Sequence, residues 1–206
     1  MTTTTVQTRR PRRPATSTPP WWHVALTRPP AIWPLTPMAL TLDDGPWSVA
    51  CDGRRLIAVP GVTDGCDDAA RVLGPDSLAA VRTWLSPFAA KRKRLDTFRA
   101  WLSDGLAPAV CVWCRVPFGK PHRLRGTGCD KGEVGVYDVA TIGANIGPAQ
   151  FNRYLLLDTF AAAPGEWISI ERPGEPMAMA RFAGEGWRAV VMPTRYVAGG
   201  IRWRGP

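Results

Sequence analysis

Chemistry that begins with a nucleophile has little to work with in this chain. Of 206 residues only two are histidine, His23 and His122, so a histidine-activated nucleophile or a histidine-rich metal site lacks material. Ser77 and Ser169 have no base near them in sequence and no nucleophile elbow around them. The acidic pairs Asp43-Asp44 and Asp67-Asp68 stand among turn residues, without a second acidic pair at a spacing that holds two metal ions. Cys111-x-x-Cys114, with Cys129 and His122, has the composition of a zinc site. On a strand, however, positions i and i+3 face opposite ways, so Cys111 and Cys114 converge only if the strand breaks. Buried free thiols are expected, with a zinc-stabilised module as the alternative. Neither enzyme activity nor a cofactor is expected.

Positive charge is plentiful. The formal net charge is +9, and an excess of this kind points to a polyanion, most often nucleic acid, bound through salt-dependent phosphate contacts. Arg9, Arg10, Arg12 and Arg13 lie in a Thr/Pro/Arg segment, residues 1–20, too poor in apolar side chains to offset its ordering entropy, and a basic arm is expected there. Lys91, Arg92, Lys93, Arg94 and Arg99 form the densest cluster. No unbroken apolar run reaches the roughly 18 residues a membrane-spanning helix needs, and the N-terminus carries no secretory signal. The expectation is a cytoplasmic protein without a membrane partner.

The elements that must position these residues follow from spacing. Met38, Leu40 and Leu42 alternate with smaller residues, and Asp43-Asp44-Gly45 signals a hairpin turn into Trp47–Ala50. Leu56–Val59 reads as the next strand, and Arg71-Val72-Leu73 as a short strand-like piece. Pro75 opens a helix whose Leu78, Val81 and Leu85 share one face. Residues 91–104 read as a basic amphipathic helix with Leu95, Phe98 and Leu102 on its apolar side. Strands are expected over 109–116 and 134–140, and a helix opening at Asn145-Ile146-Gly147-Pro148 and carrying Arg153. Three strands, 166–171, 177–182 and 187–192, complete the pattern before a loose tail over 197–206. Trp84, Trp101, Trp167 and Trp187 are expected in the core. The whole is an α+β fold of antiparallel sheets with helices on one face.

Two stretches in this order resemble a known family. Cys51-Asp52-Gly53-Arg54-Arg55-Leu56 is similar to the T-D-G-H-R-L-A stretch of the bacterial DNA sliding clamp, the DNA polymerase III beta subunit. Val191-Met192-Pro193-Thr194-Arg195 is similar to that family's C-terminal V-M-P-M-R. The flanks Leu73–Leu78 and Ala144–Asn152 resemble clamp segments too, and the order of all four pieces is kept. Arg54 stands where the family has His, Thr194 where it has a second Met, and a clamp subunit is longer, with three similar domains.

The resemblance implies two clamp-like halves, residues 21–105 and 106–196, and a ring with sheets outside and basic helices facing double-stranded DNA. Arg82, Lys91, Arg92, Lys93, Arg94, Arg99 and Arg153 are then the DNA-contacting candidates, positioning DNA without reading its sequence. It also implies a pocket for short peptides of polymerases and other replication or repair proteins, walled by Leu56, Met192 and Pro193 and rimmed by Arg54, Thr194 and Arg195. A homo-oligomeric processivity factor is the expected function, with a clamp-like adaptor that does not encircle DNA as the alternative.

Overall fold

The computed structural model describes residues 37–104, 106, 134–137, 143–194 and 201–204. Strands β1 (Met38–Leu42), β2 (Gly45–Cys51) and β3 (Arg55–Pro60) form an antiparallel meander. Asp43-Asp44 is its first turn, closed by Gly45 at φ 120°, a conformation glycine tolerates. After β4 (Asp67–Asp68) come helices α1 (Ala69–Val72) and α2 (Pro75–Leu85), strand β5 (Arg92–Arg94) and helix α3 (Leu95–Ser103). Strand β6 (Val134–Tyr137) precedes the hairpin β7 (Gly143–Ile146) and β8 (Ala149–Asn152), and helix α4 covers Arg153–Phe160. Strands β9 (Trp167–Glu171), β10 (Ala180–Gly184) and β11 (Trp187–Val191) follow, and β12 (Ile201–Arg204) pairs with β6.

One sheet of eight strands, ordered β4-β1-β2-β3-β11-β10-β9-β5, carries the architecture. All its pairings are antiparallel except β1 with β4. The α+β class with antiparallel sheets therefore holds. The sheet crosses the expected division at 105/106 twice: β3 pairs with β11, and β5 pairs with β9.

Helices cover both faces of this sheet, not one. Met38, Leu40, Val49, Leu56 and Val190 pack with Val81 and Leu85 of α2. Ala50, Ile57, Phe182 and Val191 pack with Leu95 and Phe98 of α3 and Leu156 and Phe160 of α4. Successive side chains on a strand alternate faces, and the central strands are buried on both, which is why β2 and β3 read as nearly continuous apolar runs.

Four other expectations are corrected. Arg71-Val72 lies in the helical turn α1, capped by Asp68 Oδ1 accepting from Ala70 N–H, and not in a strand. Residues 145–152 form the β7–β8 hairpin, and the helix begins only at Arg153. Gly147 at φ 60° allows the turn, and a Cβ there would meet the Pro173 carbonyl oxygen at 2.9 Å. Arg92–Arg94 is an edge strand, because backbone pairing with β9 outweighs the helical spacing of the side chains. The tail contains β12, paired by backbone bonds that side-chain pattern does not announce. Of the four tryptophans expected in the core, Trp187 is buried, Trp84 and Trp167 are half-buried, and Trp101 is 39% exposed.

Two arginines lock α2 onto the sheet. Arg181 Nε donates to the Trp84 carbonyl (2.8 Å) and its Nη2 to the Ser86 carbonyl, while Arg188 Nη1 donates to the Leu85 carbonyl at 2.6 Å. These are the carbonyls a helix end leaves unsatisfied, and a cation suits the negative end of the helix. Arg188 also pairs with Asp44 and lies 4.4 Å over the Trp47 ring.

Candidate functional site

The turn between β2 and β3 is built around Asp52. Its Oδ1 accepts the backbone N–H groups of Arg54 and Arg55, both at 2.9 Å, the local closure expected of Asp in a turn, and Gly53 takes φ 76°. Oδ2 accepts Arg55 Nε at 3.1 Å. The buried Arg55 guanidinium then reaches α4, donating from Nη1 to Asp158 Oδ2 (2.7 Å) and Thr159 Oγ1 (3.2 Å). One ionic network thus fastens the turn to a helix distant in sequence.

The other stretch meets this turn. Register pairs Val191 with Arg55 and Val190 with Leu56, and the Met192 N–H donates to the Arg54 carbonyl at 2.8 Å. Thr194 N–H donates to the Gln150 carbonyl of β8 at 2.7 Å. Arg54 and Met192 are exposed, Met192 at 41%, while Pro193 and Thr194 are half-buried. Leu56 is only 3% exposed and packs in the core beneath the sheet. Among the described residues of this seam, Met192 is therefore the exposed large apolar side chain. Arg195 lies outside the described residues.

The cations named from sequence fall into separate places. Arg82 is exposed on α2, on one side of the sheet. Lys91 precedes β5, and Arg92, Lys93 and Arg94 occupy that edge strand, all exposed. Arg94 pairs with Asp96 at 3.2 Å and Glu166 at 3.5 Å, and Arg92 with Glu185 at 3.8 Å. Arg99 belongs to α3 but is turned onto α4: Nε donates to the Phe160 carbonyl (2.8 Å) and Nη2 to the Ala163 carbonyl (2.7 Å). Arg153 donates to the Asp104 carbonyl and stands 5.9 Å over the Trp101 ring.

Among the described residues no group of three or more His, Cys, Asp or Glu is placed to hold a metal ion, and no helix is long and apolar enough to cross a membrane. Cys111, Cys114, Cys129 and His122 lie outside the described residues, as do the basic arm over 1–20 and the strand expected over 109–116. Burial pushes the Cys51 thiol up to about 11, helped by the neighbouring Asp52 charge and opposed by the Gly53 N–H.

No family model and no curated protein matches this sequence. Among solved structures, matches to this chain include bacterial clamps. The Caulobacter crescentus pol III beta is 13% identical with a TM-score of 0.40, matched over 78% of this chain and 58% of that one. A DnaN sliding clamp (DNA polymerase III subunit beta) from Pseudomonas aeruginosa, solved with griselimycin, is 13% identical with a TM-score of 0.44, over 84% and 61%. A C. crescentus beta sliding clamp solved with PEG gives 13%, 0.39, 78% and 58%. This chain thus spans about three fifths of the length of the clamps it matches.

Sequence reasoning passed over Asp52, Arg55 and Asp158 as a unit. Part of the signal was present: Arg55 shares the parity of Ile57 on a strand buried on both faces, and a charge there demands a counter-ion. Asp158 carried no such mark. Also unanticipated is a groove of about 970 Å³ between β5, α3 and the β7–β8 turn, separate from the Arg54–Met192 seam.

Proposed function

We propose that this chain is a non-enzymatic, clamp-related replication or repair protein. In this proposal it docks short peptide segments of polymerases or repair factors at the Arg54–Met192 seam and holds double-stranded DNA through its cations, as a homo-oligomer. One observation carries it. Two stretches that resemble the clamp family's pocket motifs, far apart in sequence, share a backbone hydrogen bond from Met192 N–H to the Arg54 carbonyl. An exposed methionine bonded through its backbone to exposed Arg54 suits a surface that accepts several partners, because its side chain repacks readily.

The test measures peptide and DNA binding on the whole chain. A fluorescent peptide from a clamp-binding polymerase should bind saturably, and Met192→Asp combined with Arg54→Glu should abolish binding while circular dichroism stays unchanged. Double-stranded DNA should be retained at low salt and released as salt rises. Absence of both activities overturns the proposal.

A second form has its own support. Arg99 and Arg153 donate to backbone carbonyls, so two of the helical cations meant for DNA are engaged inside the fold. An adaptor that docks peptides without encircling DNA fits that placement. Peptide binding without salt-sensitive DNA binding, in a protein that sediments as a monomer, selects it.

A further inference from the structure

We propose that the groove beside β5 docks an acidic peptide segment of a partner protein, anchored by a large apolar side chain. The proposal is separate from the Arg54–Met192 seam. Its first basis is charge. Lys91, Lys93 and Arg172 line the groove and form no ion pair among the described residues, whereas Arg94 is already matched by Asp96 and Glu166. The lining carboxylate, Glu171, is held by Arg181 at 2.8 Å. The uncompensated charge at the rim is therefore positive, and an acidic segment complements it.

The second basis is the floor. Phe98, Trp101, Ile146 and Ile170 supply apolar surface inside this cationic rim. The volume of about 970 Å³ exceeds what a single side chain fills. Among the described residues β5 is also the last strand of the large sheet, so its outer edge offers main-chain partners to an extended segment. A nucleic-acid strand fits less well. The Trp101 ring is tilted against Phe98 with centroids 5.5 Å apart and stands beneath Arg153, which leaves its faces poorly open for base stacking.

The test uses fluorescence anisotropy with the full chain and a labelled heptapeptide, Asp-Glu-Asp-Leu-Phe-Asp-Glu. Saturable binding is expected. Lys93→Glu with Arg172→Glu, both exposed positions, should weaken it at least about tenfold. Arg71→Glu, an exposed charge reversal on α1 remote from the groove, should change it less than about twofold. Replacing the Leu-Phe pair of the peptide by Ser-Ser should weaken binding comparably to the double charge reversal. Circular dichroism of each variant verifies the fold. The proposal is overturned if the heptapeptide does not saturate, or if Arg71→Glu matches the double variant. It is equally overturned if the Ser-Ser peptide binds as well, or if single-stranded oligothymidylate binds the groove more tightly than the heptapeptide.

Discussion

Arg55 has a guanidinium shielded from water, and two carboxylates and a hydroxyl meet it. A buried charge costs several kcal/mol unless paired, so breaking such a pair is far more costly than breaking one at the surface. Asp52→Ala removes the buried counter-ion and the acceptor for two turn N–H groups. It should destabilise the fold by about 3–5 kcal/mol, read from urea unfolding. Asp158→Ala, at a side chain half exposed, should cost at most about 1 kcal/mol. Equal losses would mean that the Asp52–Arg55 pair does not fasten the turn. Cys51 lies next to this turn, with its thiol raised from the ordinary 9.0 to about 11, chiefly by burial. The neutral thiol is thus favoured in the folded state. Its contribution is fully present below pH 9 and is lost as pH climbs towards 11, by about 2–3 kcal/mol in total. Subtracting the pH–stability curve of Cys51→Ala from that of the natural protein isolates it; a difference flat from pH 9 to 11 rejects the assignment. At pH 8, peptide mapping after alkylation should find half-buried Cys66 modified well before buried Cys51.

At the scale of elements, arginines close helices, and this bears on the meaning of the basic composition. Arg181 and Arg188 satisfy the carbonyls at the end of α2, and Arg99 satisfies those at the end of α4. Part of the +9 excess therefore does structural work that phosphate binding would otherwise be asked to explain. Arg99→Ala should lower stability by about 1.5–3 kcal/mol, since it deletes charge-assisted hydrogen bonds. Lys93→Ala, exposed and unpaired among the described residues, should stay within about 0.5 kcal/mol. The opposite ranking in chemical denaturation would return Arg99 to the list of free cations. The same contrast explains what was legible from sequence. The β1–β2 hairpin, α2 and the strands β9 and β11 were readable because turn residues and apolar spacing agree there, whereas β10 spans Ala180–Gly184 and not the expected 177–182, with Met177 left exposed before it. The segment 145–152 was not. Gly147-Pro148 serves equally as a helix opening or a hairpin turn, and only packing against Pro173 and the core decides. Lys91–Arg94 misled for a related reason: side-chain periodicity continues from α3 backwards, while the backbone pairs with β9. In the candidate site, the adjacency of Arg54 and Met192 was legible through family resemblance, whereas the groove was not, since its walls come from elements separated in sequence.

At the scale of the molecule, the β3–β11 joint decides how many cooperative units exist. Each core contains residues from both sides of the 105/106 division. Ile57 packs in the cluster of Phe160 and Phe182, and Val190 packs in that of Met38 and Leu85. The cores are thus two faces of one sheet rather than two separable halves, and neither is complete when either part of the chain is withdrawn. Unfolding should accordingly be a single transition, coincident by tryptophan fluorescence and far-ultraviolet circular dichroism. Leu85→Ala, on the α2 face, should lower the free energy by about 2–5 kcal/mol, and Phe182→Ala, on the opposite face, by about 3–5 kcal/mol. Both should move that same transition, because losing either face exposes strands shared with the other. Two transitions, each displaced by only one of these substitutions, would show instead that the faces unfold independently. Ligand docking at the Arg54–Met192 seam would then raise only one of the two midpoints. With one cooperative unit, peptide bound at the seam raises the midpoint of the whole chain, so the same titration distinguishes the two cases.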